Sequence, residues 1–254
     1  MERMPALFVG HGSPMNAIED NSFTRQWAQL EKRLPRPRAI LSVSAHWFTP
    51  GTRVSDDPAP RTVYDMYGFP EALYRVEYHP AGSPDLAGRT IDLIRRYVTV
   101  DNSWGIDHGT WSVLKRIFPK ADIPVVQLSV DQGASPEDHF RIGQELRVLR
   151  DEGILILGSG NVVHNLGMIQ WDLNGGFPWA ETFDHVIRDR ILSGDFKGVQ
   201  QYQDIPGAEL AVPYPDHFFP LLYALGAAAP EDRVTTLNDA CVLGSLSMTS
   251  YLFE

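Results

Sequence analysis

The run Ile154-Leu155-Ile156-Leu157 passes without a polar break into Gly158-Ser159-Gly160-Asn161. A strand sends successive side chains to opposite faces, so an unbroken apolar run needs cover on both sides. That requirement points to a buried sheet flanked by helices. The pattern recurs along the chain. Leu7-Phe8-Val9 ends in Gly10-His11-Gly12-Ser13-Pro14, and Ala39 to Ser44 reads as a strand ending at Ala45-His46-Trp47. Pro124 to Val130 is a further strand.

Helical patterns lie between these runs. Phe23 to Leu34 reads as a helix stopped by Pro35, Leu86 to Tyr97 as another, and Thr110 to Phe118 as a third, stopped by Pro119. Ser135-Pro136-Glu137 has the cap residue and first-turn proline of a helix start. Strands alternating with helices imply an α/β fold with a central, largely parallel sheet. In such sheets ligands gather at the C-terminal edge of the strands, and the active site is expected there. No repeat or linker divides the chain, so residues 1–254 are read as one catalytic domain. The irregular stretch from Gly51 to Pro70 is expected to be a loop over the site.

Composition narrows the function. With 22 basic and 32 acidic residues the formal charge is −10, which argues against a nucleic-acid partner, because that role needs a basic face. A single cysteine, Cys241, leaves neither a disulfide framework nor a cysteine zinc site. The start Met1-Glu2-Arg3-Met4-Pro5 lacks the features of a signal peptide, and no apolar run reaches membrane-spanning length. A cytoplasmic setting is the expectation, and no feature specifies an oligomeric state.

The eight histidines carry the chemistry. His11, His46 and His164 each fall just past a predicted strand, in turns rich in Gly, Ser or Asn. His108 sits in a Gly-bounded loop before a helix, and His217 opens an apolar helix. One histidine in a glycine-rich turn is ordinarily a satisfied hydrogen-bonder. Repeated placement at strand ends is what points to a metal, since neutral imidazoles suit zinc, iron or copper. His79, His139 and His185 lack that context. Other motifs fail: Gly158-Ser159-Gly160 lacks the third glycine of a dinucleotide fingerprint, and neither Ser13 nor Ser159 sits in a G-x-S-x-G elbow.

At four of these segments the sequence resembles the class III extradiol ring-cleaving dioxygenases of the LigB-like superfamily, in the 4,5-DOPA dioxygenase branch. They are Val9-Gly10-His11-Gly12-Ser13-Pro14-Met15, Ser44-Ala45-His46-Trp47, Asp107-His108-Gly109-Thr110-Trp111 and Gly158 to Leu166. The resemblance spans essentially the whole chain, with the motifs in the expected order. It implies a non-haem metal, Fe(II) for activity, with His11 and His46 as ligands. His217, beside Asp216, matches the late ligand that is a glutamate in protocatechuate-cleaving relatives. His164 matches an acid–base histidine, and His108 one that contacts substrate or oxygen. With Zn(II) as the bound metal, His164 would instead complete a tetrahedral shell.

The implied reaction takes a catechol and O2 and cleaves the ring next to the diol. Trp47, Tyr67 and Trp111, with Phe69, are candidates to wall the ring, and Ser13 to bond the substrate, although packing and capping are the commoner roles of such residues. Arg53 and Arg61 are candidates for a substrate carboxylate, with surface solvation the commoner role. Two alternatives use the same histidines. One is a zinc hydrolase with His164 or Asp107 as base; the other is a non-catalytic, ligand-binding member of the superfamily.

Overall fold

Side chains in the strands alternate between the two faces of the sheet with a period of two. In the computed structural model, which describes residues 3–254, β1 (Ala6–Gly10) sends Ala6 and Phe8 to one face of the sheet and Leu7 and Val9 to the other. Of the chain start read above, Met1 and Glu2 lie outside the described residues. The remaining strands are β2 (Ala39–Thr49), β3 (Thr52–Val54), β4 (Val98–Val100), β5 (Val125–Asp131), β6 (Ile154–Gly160), β7 (Val234–Leu237), β8 (Cys241–Val242), β9 (Leu246–Ser247) and β10 (Ser250–Phe253). β8 and β9 form a separate ribbon, and the other eight make one sheet in the order β4-β3-β5-β2-β6-β1-β10-β7.

The centre of that sheet is parallel: β5 pairs with β2, β2 with β6, and β6 with β1. Antiparallel pairing enters toward the edges, where β10 lies against β1 and β7 against β10, and where β3 meets β5. Ile154 and Ile156 of β6 join the core on one face, and Leu155 and Leu157 the core on the other. Both faces are therefore covered, as the apolar run requires.

The helices are α1 (Ser22–Arg33), α2 (Glu71–Tyr74), α3 (Pro84–Leu93), α4 (His108–Ile117), α5 (Pro136–Leu146), α6 (Pro178–Leu192), α7 (Phe196–Gln200), α8 (Ala208–Ala211) and α9 (Phe219–Ala227). Trp27 and Leu30 of α1 and Trp111 and Leu114 of α4 cover one face. Ile142 of α5, Phe183 and Ile187 of α6 and Leu221 of α9 cover the other. The predicted start at Ser135 is a capping box, with Ser135 and Asp138 each accepting the other's backbone N–H.

Three sequence boundaries move. The helix expected over residues 86–97 ends at Leu93, because Ile94 is extended and the β-branched Val98-Thr99-Val100 pairs with β3 as an edge strand. β2 does not stop at Ser44 but continues through His46 to Thr49, and its register against β5 shifts between Val43 and Phe48. His217 does not open a helix. It sits in the turn before α9, which begins at Phe219. The Gly51–Pro70 segment contains β3 and is otherwise irregular.

Candidate metal centre and active site

β2, β6 and β1 are neighbours at the middle of the sheet, so their C-terminal ends bring distant segments together. His11 follows the last residue of β1, and its N–H donates to the Gly160 carbonyl at the end of β6 (2.9 Å). His46 lies near the end of β2. His217 reaches the same place through its backbone: its carbonyl accepts the Asn161 N–H at 2.8 Å. An added Cβ on Gly160 would fall 2.1 Å from that carbonyl oxygen, and one on Gly158 would fall 2.4 Å from the Pro220 carbonyl oxygen. The glycines that look like half of a dinucleotide motif therefore have a different job. They let the chain entering α9 lie directly on β6.

The first turn needs glycine for a second reason. Gly12 has φ +59°, and a Cβ there would meet the Met248 sulfur at 2.4 Å. Ser13 caps the short helix that follows, accepting the Met15 N–H at 3.2 Å, so it is a capping residue here.

The side chains converge. One nitrogen from each of His11, His46 and His217 lies within 4.8 Å of the other two. His11 and His217 are buried, 2% and 5% exposed, and His46 is partly buried. The neighbours of the outer nitrogens set which nitrogens point inward. The Ser159 hydroxyl donates to the Gly109 carbonyl at 2.5 Å, so its oxygen is left to accept from His11 Nδ1 at 3.0 Å. His11 therefore carries its proton on Nδ1 and presents a lone pair at Nε2. His46 Nδ1 is 3.3 Å from the Asp65 carboxylate, outside hydrogen-bond geometry; an oxygen that only accepts, at that distance, favours the proton on Nδ1 and the lone pair on Nε2.

Those two Nε2 atoms face one another at 3.3 Å. Two lone pairs at that separation repel unless a cation or proton lies between them. His217 adds a nitrogen in the same state of need. Its Nδ1 is 3.1 Å from Asp216 but outside hydrogen-bond geometry, and is buried without a hydrogen-bond partner among the described residues. The donor set therefore fits a borderline metal ion. Burial first, and then the neighbouring histidines, push the basicity of His11 and His46 well below the ordinary imidazole range, keeping both neutral and able to ligate at pH 7.

His164 stands differently. Its ring stacks face to face on His217, with centroids 3.5 Å apart and planes 4° from parallel. An imidazole lone pair lies in the ring plane, so two rings stacked in parallel cannot both aim at one ion. As the rings stand, His164 is not among the imidazoles whose nitrogens converge and lies beside the cluster. Burial, then His217 and His108, lower its basicity too, so the ring rests neutral.

His108 is the first residue of α4, capped by Asp107, whose carboxylate accepts the Thr110 N–H. Asp107 also accepts from Ser44 at 2.7 Å, from Trp104 at 3.0 Å and from Gln127. Burial and the nearby Asp65 push its carboxyl up to about 6. A carboxylate so fully engaged is a cap and not a free base. His108 Nδ1 lies 2.9 Å from Asp65, which the sequence reading did not single out.

The proposed ring walls separate. Trp111 is wholly buried in the core beneath the sheet and donates its indole N–H to the Val63 carbonyl at 2.8 Å, so it supports the site loop from behind. Tyr67 is 93% exposed and walls nothing in this conformation. Trp47 is buried in β2 next to His46, and Phe69 packs partly buried against the core. Arg53 pairs with Asp101 and Arg61 donates to the carbonyls of Ser103 and Trp104, so both brace a loop. His139 is buried against Tyr223, and His79 bonds Thr62, both away from the cluster.

A parallel-centred α/β sheet with imidazoles converging at its C-terminal edge defines a metal-dependent class of catalyst. The profile of the catalytic LigB subunit of aromatic ring-opening dioxygenases matches residues 5–253, and the chain belongs to this family. It is an extradiol dioxygenase, an oxidoreductase. It is 47% identical to the 4,5-DOPA dioxygenase extradiol of Escherichia coli (strain K12), over 98% of this chain and 94% of that one. The protein of the same name from Beta vulgaris is 37% identical, over 97% and 95%. A crystal structure of an uncharacterized protein from Escherichia coli K12 superposes with a TM-score of 0.88 at 43% identity, covering 99% of this chain and all of that one. Among the described residues no helix is long and apolar enough to cross a membrane.

Proposed function

We propose that this dioxygenase opens the ring of 4,5-DOPA or a related catechol with O2, at a ferrous ion held by His11, His46 and His217. The observation that carries the reading is the pair of inward-facing Nε2 atoms of His11 and His46, 3.3 Å apart, with a His217 nitrogen converging on them. When bound, iron supplies a Lewis-acidic, redox-active point at which diol and O2 meet.

The chain's own residues then position both reactants and handle protons. His164, neutral and parallel to His217, accepts a proton from the diol and returns it to an oxygen of the cleaved product. His108 bonds a substrate oxygen from the other side of the cluster; its ring centroid is 5.9 Å from that of His11. Zn(II) fits the same nitrogens without a change of oxidation state, so zinc-loaded protein is expected to bind catechol and leave O2 untouched. A cytoplasmic location accords with a lone, buried cysteine.

The test is oxygen uptake by protein loaded anaerobically with Fe(II) and then given L-DOPA and a panel of catechols. Uptake with a new visible chromophore is expected. If no catechol in the panel elicits uptake, the reading is wrong.

A further inference from the structure

We propose that Asp65 is a positioning residue whose single carboxylate sets the tautomer and ring orientation of both His46 and His108. The metal-side and substrate-side imidazoles are then fixed as a pair. This rests on the metal-centre reading above and extends it to a residue outside the four motifs.

The geometry is specific. Asp65 Oδ1 accepts from His108 twice, from the backbone N–H and from ring Nδ1, each at 2.9 Å. The other oxygen, Oδ2, lies 3.3 Å from His46 Nδ1. The two rings so held are close, with centroids 3.9 Å apart and planes at 47°. No lysine or arginine pairs with this carboxylate among the described residues, and its side chain is only 10% exposed. A buried acid without a cationic partner would ordinarily be costly. Here Oδ1 accepts from the His108 ring and amide, and Oδ2 lies beside the His46 ring.

His46, Asp65 and His108 also have the composition of a two-histidine, one-carboxylate metal set. The distances argue for a different use. The 2.9 Å contact to His108 is a hydrogen bond, with the proton already occupying the space between, and the 3.3 Å contact sets a carboxylate oxygen beside His46 Nδ1. The His46 nitrogen in this group is Nδ1, which leaves Nε2 for the centre shared with His11. A histidine ligand whose second nitrogen donates to a carboxylate is a better and more rigid ligand, and loss of such a partner typically weakens metal binding by about 10- to 100-fold.

The same carboxylate decides how His108 meets substrate. With its Nδ1 proton directed at Asp65, a neutral His108 offers only a lone pair at Nε2, so it accepts from a diol hydroxyl. Once it takes a second proton it donates to the oxygen left behind. An asparagine at position 65 removes this control. Its oxygen can still serve one ring, but its NH2 group then faces the other, and a donor facing Nδ1 forces the proton onto Nε2. On His46 that change removes the ligand lone pair.

Two measurements test the proposal. In wild-type protein with 15N-labelled histidine, long-range nitrogen–proton correlations on metal-free and zinc-loaded samples are expected to show His46 and His108 protonated at Nδ1. Proton on Nε2 of either ring in the metal-free protein overturns the inference, and this measurement needs no variant to fold. In Asp65→Asn, zinc affinity is expected to fall by about 10- to 100-fold, with a raised KM for catechol in the Fe(II) form. Asp65→Glu is expected to recover part of the metal affinity. Affinity within threefold of wild type in Asp65→Asn overturns the inference. Absence of O2 uptake by the wild type would sink the reaction assignment, while tautomer and zinc affinity still decide the role of Asp65.

Discussion

Replacing Ser159 with alanine tests the proposed centre at the most buried of its three imidazoles. The Ser159 hydroxyl donates to the Gly109 carbonyl and accepts from His11 Nδ1, and the imidazole it serves is 2% exposed. Without the hydroxyl, His11 has two choices. It can keep its proton on Nδ1 as a buried donor without an acceptor, which costs about 1–3 kcal/mol. It can instead shift the proton to Nε2, which relieves the metal-free protein but removes the lone pair from the centre. Metal binding demands the first state, so the penalty appears in the dissociation constant, as a weakening of roughly 5- to 150-fold at about 1.4 kcal/mol per tenfold. The lost bond to Gly109 acts on metal-free and metal-bound protein alike. Its expected signature is a common drop in melting temperature of about 2–4 °C for each kcal/mol. Competition against a chromogenic zinc chelator gives the affinity, and thermal unfolding with and without zinc gives the common term. A folded Ser159→Ala protein with zinc affinity within twofold of wild type would refute the tautomer argument for His11.

Three further outcomes follow from the geometry. His164→Ala is expected to keep its metal affinity while turnover falls by about 10²- to 10⁴-fold, the usual worth of an acid–base group; a parallel loss of metal would make His164 a ligand after all. Gly160→Ala places a methyl 2.1 Å from the His217 carbonyl oxygen, so thermal stability and metal capture should fall together, by about 1–3 kcal/mol in stability. Burial lowers His139 from 6.5 to about 4, so between those values the unfolded chain takes a proton that the fold refuses. Stability is therefore expected to decline as pH falls from about 6.5 towards 4, by up to about 3 kcal/mol from this residue. Urea unfolding at pH 7 and pH 5 measures that slope, and His139→Phe should flatten it.

How much of this was legible follows from range. The strand ends at Gly10, Gly158 and Gly160 announce themselves because apolar runs and glycine turns are local, and sheet topology does the rest by gathering their histidines at one edge. The stacking that separates His164 from the ligand set depends on where α9 enters, which no local pattern encodes. Asp65 lies in an irregular segment with Asp56 and Asp57, and nothing in residue type distinguishes it from them. Only the fold brings it between two rings. Trp111 read as a ring wall because it follows the histidine motif. Three residues along α4 from His108 it points into the core, as helical geometry allows. β8 and β9, at two residues each, are too short to show a period.

The main-chain contact between Asn161 and His217 has a thermodynamic consequence. The centre draws on segments at the start, middle and end of the chain, and its late member is held by a backbone hydrogen bond that exists only when β6 and the turn before α9 are docked. An unfolded chain would have to close loops of 35 and more residues to bring the same imidazoles together, so the metal meets a site only in the native state. Its binding is then added directly to folding stability, by about 2.7 kcal/mol when free metal stands at 100 times the dissociation constant. The midpoint of thermal unfolding should climb with the logarithm of metal concentration, which makes the protein's heat resistance a readout of its catalytic readiness.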